Sequence, residues 1–241
     1  MKHPPFAGAG YLLRGATLIT KPGIRPFVII PLLINTLLFA TLLAYGAGQF
    51  GQFIDTLLPA WLSWLEWLLW PLFAVTISVV VFFTFVHVGH FIGAPFNGLL
   101  AERVEQHIKG TTAKDPFRFS HFLATLMPAF LSECRKIIYF IMRAGPLLLL
   151  FFIPVVNVAA SLVWMVFSAW MLSLEYLDYP MANHHILFSE QRRVLRAKKG
   201  LTLGFGGAAL VLLMIPILNF FVMPIAVAGA TAMWIEQFEQ R

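Results

Sequence analysis

Four long stretches of this sequence contain no aspartate, glutamate, lysine or arginine: 26–54, 67–101, 144–174 and 200–235. A helix needs about 20 apolar residues to cross a bilayer core, so each stretch can cross once. The last three exceed thirty residues, long for one helix and short for two full crossings with a turn. Charged residues make up only 12% of the chain and hydrophobic ones 59%, whereas a soluble domain carries about a quarter charged residues. This excludes a water-soluble globular domain, a disordered chain and a disulfide scaffold. The single cysteine, Cys134, has no internal partner for a disulfide and cannot hold a metal cluster alone. The chain reads as an all-α integral membrane protein, with residues 1–241 as one membrane domain.

Proline and asparagine decide how the longer stretches are used. The third is interrupted by Ile153-Pro154-Val155-Val156-Asn157 and the fourth by Ile215-Pro216-Ile217-Leu218-Asn219. Proline removes an amide donor and clashes with the preceding turn, and asparagine favours turns. Each stretch is therefore expected to fold as a partly inserted, re-entrant helical hairpin broken at Pro154/Asn157 or Pro216/Asn219. The breaks repeat at an offset of 62 residues, which also aligns Lys136 with Lys198, Gly145 with Gly207 and Met171 with Met233. Repeated, interrupted apolar segments are typical of transporters. Small residues at Gly200-x-x-x-Gly204 and Gly206-Gly207 allow close helix contact.

Charge placement supports the same topology. The net charge is +6, an excess that in membrane proteins marks cytoplasmic loops rather than nucleic-acid binding. Basic residues gather in 1–25, 102–143 and 175–199, while 55–66 carries only Asp55 and Glu66. If 26–54 and 67–101 cross and the two hairpins return, every basic region shares the cytoplasmic side. Region 102–143 is then a cytoplasmic polar helical segment, with a turn at Gly110-Thr111-Thr112 and Asp115-Pro116. Pro95 and Gly98 are expected to break the second helix locally. Trp61, Trp64, Trp67 and Trp70 form an interfacial anchor on the opposite side. The first apolar run starts too late and runs too long for a cleaved signal peptide.

Few residues carry chemistry. Gly23 and Arg25 stand just before the first crossing, where helix amides, a flexible backbone and a forked cation suit a tetrahedral oxyanion. The alternative is a basic flank that anchors the helix. Asn97 and Glu102, with Arg103 beside it, lie at the inner end of the second crossing, where polar groups mark either a pathway or the wet end of a helix. Asn35, Asn157 and Asn219 either hydrate a permeating ion or, for the last two, cap the hairpin turns. His87 and His90 share a helix face, and His184-His185 point apart; neither pair has a third ligand at metal-site spacing. No nucleophile or nucleotide-binding motif is present, so neither an enzyme nor an ATPase is expected, and no cofactor or metal is called for.

Several longer runs belong together: Pro22-Gly23-Ile24-Arg25, then 27–35, 94–102, 167–172, 178–184, 215–219 and 223–234. In these the chain resembles the bacterial CysZ sulfate permease family nearly end to end. The resemblance implies multi-pass insertion in the inner membrane and sulfate uptake for cysteine biosynthesis. It also implies two long membrane helices with two partly inserted helix pairs, and a homo-oligomer, with a hexamer of antiparallel dimers described for the family. The family's sulfate site lies on a Gly-Leu-Arg-Arg segment, which maps here to Gly23, Ile24 and Arg25, the second arginine being Pro26. Asn97, Glu102 and Arg103 match its polar pathway region. The expected partners are the sulfate ion and the lipid bilayer. The competing reading is a non-transporting membrane scaffold or regulator of another sulfate-uptake system.

Overall fold

The computed structural model describes residues 5–58, 60–111 and 119–239, and among these it is all helical with no strand. The helices are α1 (Pro5–Leu18), α2 (Pro26–Leu57), α3 (Glu66–Lys109), α4 (Phe119–Leu150), α5 (Val156–Asn183), α6 (Phe188–Ala197), α7 (Lys199–Leu213) and α8 (Pro216–Gln237), with a 3-10 turn at Ala60–Leu65. Pro26 and Pro216 open their helices, where the missing amide costs no bond. Hydroxyls inside the apolar helices bond back to the carbonyl four residues earlier, as Thr36 does at 2.8 Å and Ser78 at 2.6 Å. Such bonds keep a lone hydroxyl satisfied in lipid.

Among the described residues, three helices are long and apolar enough to cross a membrane: Pro26–Thr56, Val156–Asn183 and Leu218–Gln237. α3 carries the whole 67–101 stretch as one continuous helix, so Pro95 and Gly98 do not interrupt it. It ends where Gly110 turns left-handed at φ 66° and the Thr111 amide bonds back to the Gln106 carbonyl at 3.0 Å, a capping pattern that glycine permits. The expected Asp115-Pro116 turn lies outside the described residues, as do the side chains of His87, His90 and Trp61. Both expected breaks are present: 151–155 separates α4 from α5, and Met214–Ile215 separates α7 from α8.

The chain divides into two compact units, 29–94 and the remainder. In the first, Phe50 of α2 stacks on Phe73 of α3 at 4.0 Å and meets Trp70 edge-on at 5.3 Å. Trp64, Trp67 and Trp70 are exposed, as an interfacial belt requires.

The second unit is built on α1, α5, α7 and α8. Its centre is fully buried, with Leu174, Leu177, Phe205, Val222 and Met233 at 0% exposure. Glycines let these helices touch backbone to backbone. Gly15 of α1 faces the Ile225 carbonyl and Gly229 of α8, and Gly206 of α7 faces the Ala169 carbonyl of α5. Two parts differ from the sequence expectation. The N-terminal basic flank contains α1, a packed helix. The 175–199 loop is instead the end of α5 followed by α6.

Candidate functional site

The basic turn ahead of α2 is the first candidate. Gly23 adopts φ 87°, a conformation suited to glycine, and is exposed; Ile24 is buried at 2% exposure and anchors the turn. Arg25 is exposed, and its Nε donates to the Thr20 carbonyl. Among the described residues no acidic group pairs with Arg25. The backbone amides are less free than the sequence suggests. Those of Ile24 and Arg25 bond to the Lys21 carbonyl at 3.2 and 3.3 Å, and those of Phe27 and Val28 are also taken. An anion here would be held chiefly by the guanidinium and by the amide of Gly23.

Arg103 comes to the first turn of α2. Its guanidinium lies 5.5 Å from the ring centre of Phe27, two residues beyond Arg25. It donates to Gln106 Oε1 at 3.2 Å, and the Gln106 amide donates to Glu102 Oε1 at 3.0 Å. Gln106 thus links Glu102 to Arg103.

The other predicted residues fall elsewhere. Asn97 is buried at 7% exposure beside the Tyr179 hydroxyl. Glu102, five residues on, is exposed. Asn35 lies in the 29–94 unit with its buried Oδ1 unpartnered. Asn157 and Asn219 are exposed in the first turns of α5 and α8. Neither caps its turn: both helices start without a side-chain cap, and the turns close through backbone bonds, Asn157 to Ile153 at 3.1 Å and Asn219 to Ile215 at 3.0 Å.

Two polar groups escaped the sequence reading. The first is buried between α4 and α5. Lys136, 3% exposed, meets Glu133 at 2.6 Å, Glu175 at 2.9 Å and Asp178 at 3.1 Å. Ser132 donates to Asp178 at 3.1 Å, and the Gln191 side-chain amide donates to Asp178 at 2.7 Å. Burial alone would lower the Lys136 ammonium, but Glu175, Asp178 and Glu133 hold it well above the ordinary lysine range. Burial, then Glu175, pushes the Glu133 carboxyl up. The signal in the sequence was the helical spacing: Glu133 with Lys136, and Glu175 with Asp178, share faces three residues apart.

The second group joins the ends of α3, α5 and α8. Glu105, His184 and Glu239 present ligand atoms within 4.8 Å of one another. His184 is 3.0 Å from Glu105, and Lys109 bridges Glu105 at 2.6 Å and Glu239 at 2.5 Å. Burial lowers the Lys109 ammonium, but its bonds to both carboxylates outweigh that and raise it. Lys109 already supplies the positive charge that these carboxylates call for, so a metal would have to displace it.

Long apolar helices and two broken apolar stretches are those of a helical membrane protein. The family described as Sulfate transporter CysZ/Etoposide-induced protein 2.4 matches residues 11–224, and the chain belongs to that family. It is 42% identical over 241 residues to the sulfate transporter CysZ of Pseudomonas aeruginosa strain PAO1, covering 99% of this chain and 98% of that one. Identity to the sulfate transporter CysZ of Pseudomonas fluorescens strain Pf0-1 is 42% over 240 residues, 98% and 96% of the two chains. For that of Pseudomonas syringae pv. tomato it is 40% over 240 residues, 98% and 95%.

Proposed function

We propose that this protein is a sulfate permease of the bacterial inner membrane, a transporter rather than an enzyme, supplying sulfate for cysteine biosynthesis. The observation that carries this reading is Arg25: an exposed guanidinium, free of acidic partners among the described residues, on a left-handed glycine turn at the foot of a membrane-spanning helix. Relatives covering the whole chain are named sulfate transporters. Gly23, Ile24 and Arg25 form the sulfate-binding turn. Arg103, held near Phe27, supplies the second cation where the family has an arginine and this chain has Pro26. Sulfate is a dianion and needs a protein-lined polar path. Asn35, Asn97, Glu102, Asn157 and Asn219 are the polar groups assigned to that path, with Glu102 tied back through Gln106.

The two-crossing, two-hairpin topology is supported by arm lengths. A hairpin goes no deeper than its shorter arm allows. Residues 144–150 and 200–213, the uncharged parts of the ascending arms, reach only about 11 and 21 Å at 1.5 Å per residue, against about 30 Å of hydrocarbon. Exposed asparagines at such tips need protein or water around them, which favours a homo-oligomer, and antiparallel dimers forming a hexamer would provide it.

Equilibrium binding of radiolabelled sulfate to purified protein tests the turn. Arg25→Ala removes a charge-assisted bond, and sulfate binding is expected to weaken about tenfold or more, with the melting temperature unchanged. Undiminished binding in a folded Arg25→Ala protein would remove this residue from the mechanism.

A further inference from the structure

We infer that a second ligand site, for an anionic glycerophospholipid, lies between α4, α5 and α7. A cavity of about 450 Å³ opens there. Its walls are Leu147 and Pro146 of α4, Phe167 and Trp170 of α5, and Leu203 of α7. Its rim carries Arg143 of α4, Arg196 of α6 and Lys199 of α7. All three cations are exposed, and none has an acidic partner among the described residues. The nearby acids are engaged elsewhere: Glu133, Glu175 and Asp178 around Lys136, and Glu190 with Arg193.

The shape of this site selects its ligand. An apolar interior cannot hold a hydrated anion, because desolvating the charge without partners is costly. A cationic rim over that interior suits a molecule with an anionic head and an apolar tail. The position selects a lipid. Arg143 and Lys199 are the last charged residues before the uncharged stretches 144–174 and 200–235. They therefore mark the level where hydrocarbon gives way to headgroups, the depth of a lipid phosphate. Basic pockets between helices on the cytoplasmic side recognise anionic lipid heads in this way.

One of the rim cations rests on an aromatic ring. The Arg143 guanidinium lies 5.5 Å from the Tyr139 ring, and Arg192 lies 4.8 Å from the same ring. A second cavity shares Tyr139 and adds Arg135 and Arg192. The phosphate then rests on Arg143, Arg196 and Lys199, with an acyl chain along Phe167 and Leu147. A lipid so seated ties the first hairpin to the start of the second.

The test uses the full chain in mixed micelles, with phosphatidylglycerol and phosphatidylcholine of identical acyl chains, read by native mass spectrometry and by thermal melting. The wild type is expected to retain phosphatidylglycerol about tenfold over phosphatidylcholine and to melt higher in its presence. The triple variant Arg143→Gln, Arg196→Gln, Lys199→Gln loses that preference. A second variant, Leu147→Trp, puts an indole in the path of the acyl chain, keeps every cation, and is expected to lose it as well. Equal retention of both lipids by the wild type would overturn the proposal. So would a preference that survives in both variants. So would full reproduction of the melting shift by the water-soluble headgroup glycerophosphoglycerol or by sulfate, which would identify a free-anion site. If the triple variant does not fold, the outcome for Leu147→Trp decides.

Discussion

Lys136→Met is expected to lower the melting temperature by about 6–20 °C, measured by size exclusion after heating in detergent. The substitution leaves Glu133, Glu175 and Asp178 facing one another with no cation, in a site where Lys136 itself is 3% exposed. Breaking a buried pair by removing one partner costs about 3–5 kcal/mol, and each kcal/mol shifts the melting point of a domain this size by roughly 2–4 °C. Combining Lys136→Met with Glu175→Gln and Asp178→Asn is expected to recover much of the loss, because neutralising all partners removes the unpaired charges. Glu133 behaves oppositely. Its folded-state pKa is raised by burial and by Glu175. The stability it contributes is therefore complete below the ordinary carboxylate range and lost as pH rises through its raised value. Glu133→Gln flattens that slope and is expected to cost little at neutral pH. A Lys136→Met protein melting within a few degrees of wild type would show that the cluster does not hold α4 to α5.

Neighbouring glycines on α7 are expected to respond in opposite directions to the same methyl group. A Cβ on Gly206 would collide with the Ala169 carbonyl and Ser173 of α5, whereas a Cβ on Gly207 meets nothing within 4 Å. The Ser173 hydroxyl is already committed, lying 2.6 Å from the Thr202 carbonyl and 3.1 Å from that of Ala169. Backbone atoms yield less readily than side-chain tips, so Gly206→Ala is expected to cost about 1–3 kcal/mol or more, a fall of roughly 2–12 °C. Gly207→Ala removes only the entropic penalty of glycine in a helix and is expected to gain up to about 1 kcal/mol. Equal melting points for the two variants would contradict the close packing of α5 on α7.

The parts legible in the sequence were those set by local chemistry. Absence of charge marked the apolar stretches, and Pro154 and Pro216 marked where the helical run is interrupted. Other features needed the third dimension. The segment before Lys21 carries Arg14 and reads as a basic flank, yet Tyr11 and Arg14 reach Glu236, more than two hundred residues away. That pairing, and the glycine contacts beneath it, turn the flank into a core helix. Pro95 and Gly98 read as breakers, but α3 continues through both, because packing overrides propensity at single positions. Asn157 and Asn219 read as caps, but backbone bonds close those turns and leave both side chains exposed. The candidate sulfate turn was visible as residues. Arg103, proposed as its second cation, was visible only as a neighbour of Glu102, since its approach to Phe27 depends on how α3 meets the start of α2.

The most direct test of the account is radiolabelled sulfate uptake into liposomes containing this protein alone. The account predicts time-dependent uptake well above protein-free liposomes, saturating with sulfate and weakened in Arg25→Ala. Wild-type protein that inserts and folds yet admits no sulfate would contradict it, and would leave a membrane scaffold or regulator of another uptake system as the function.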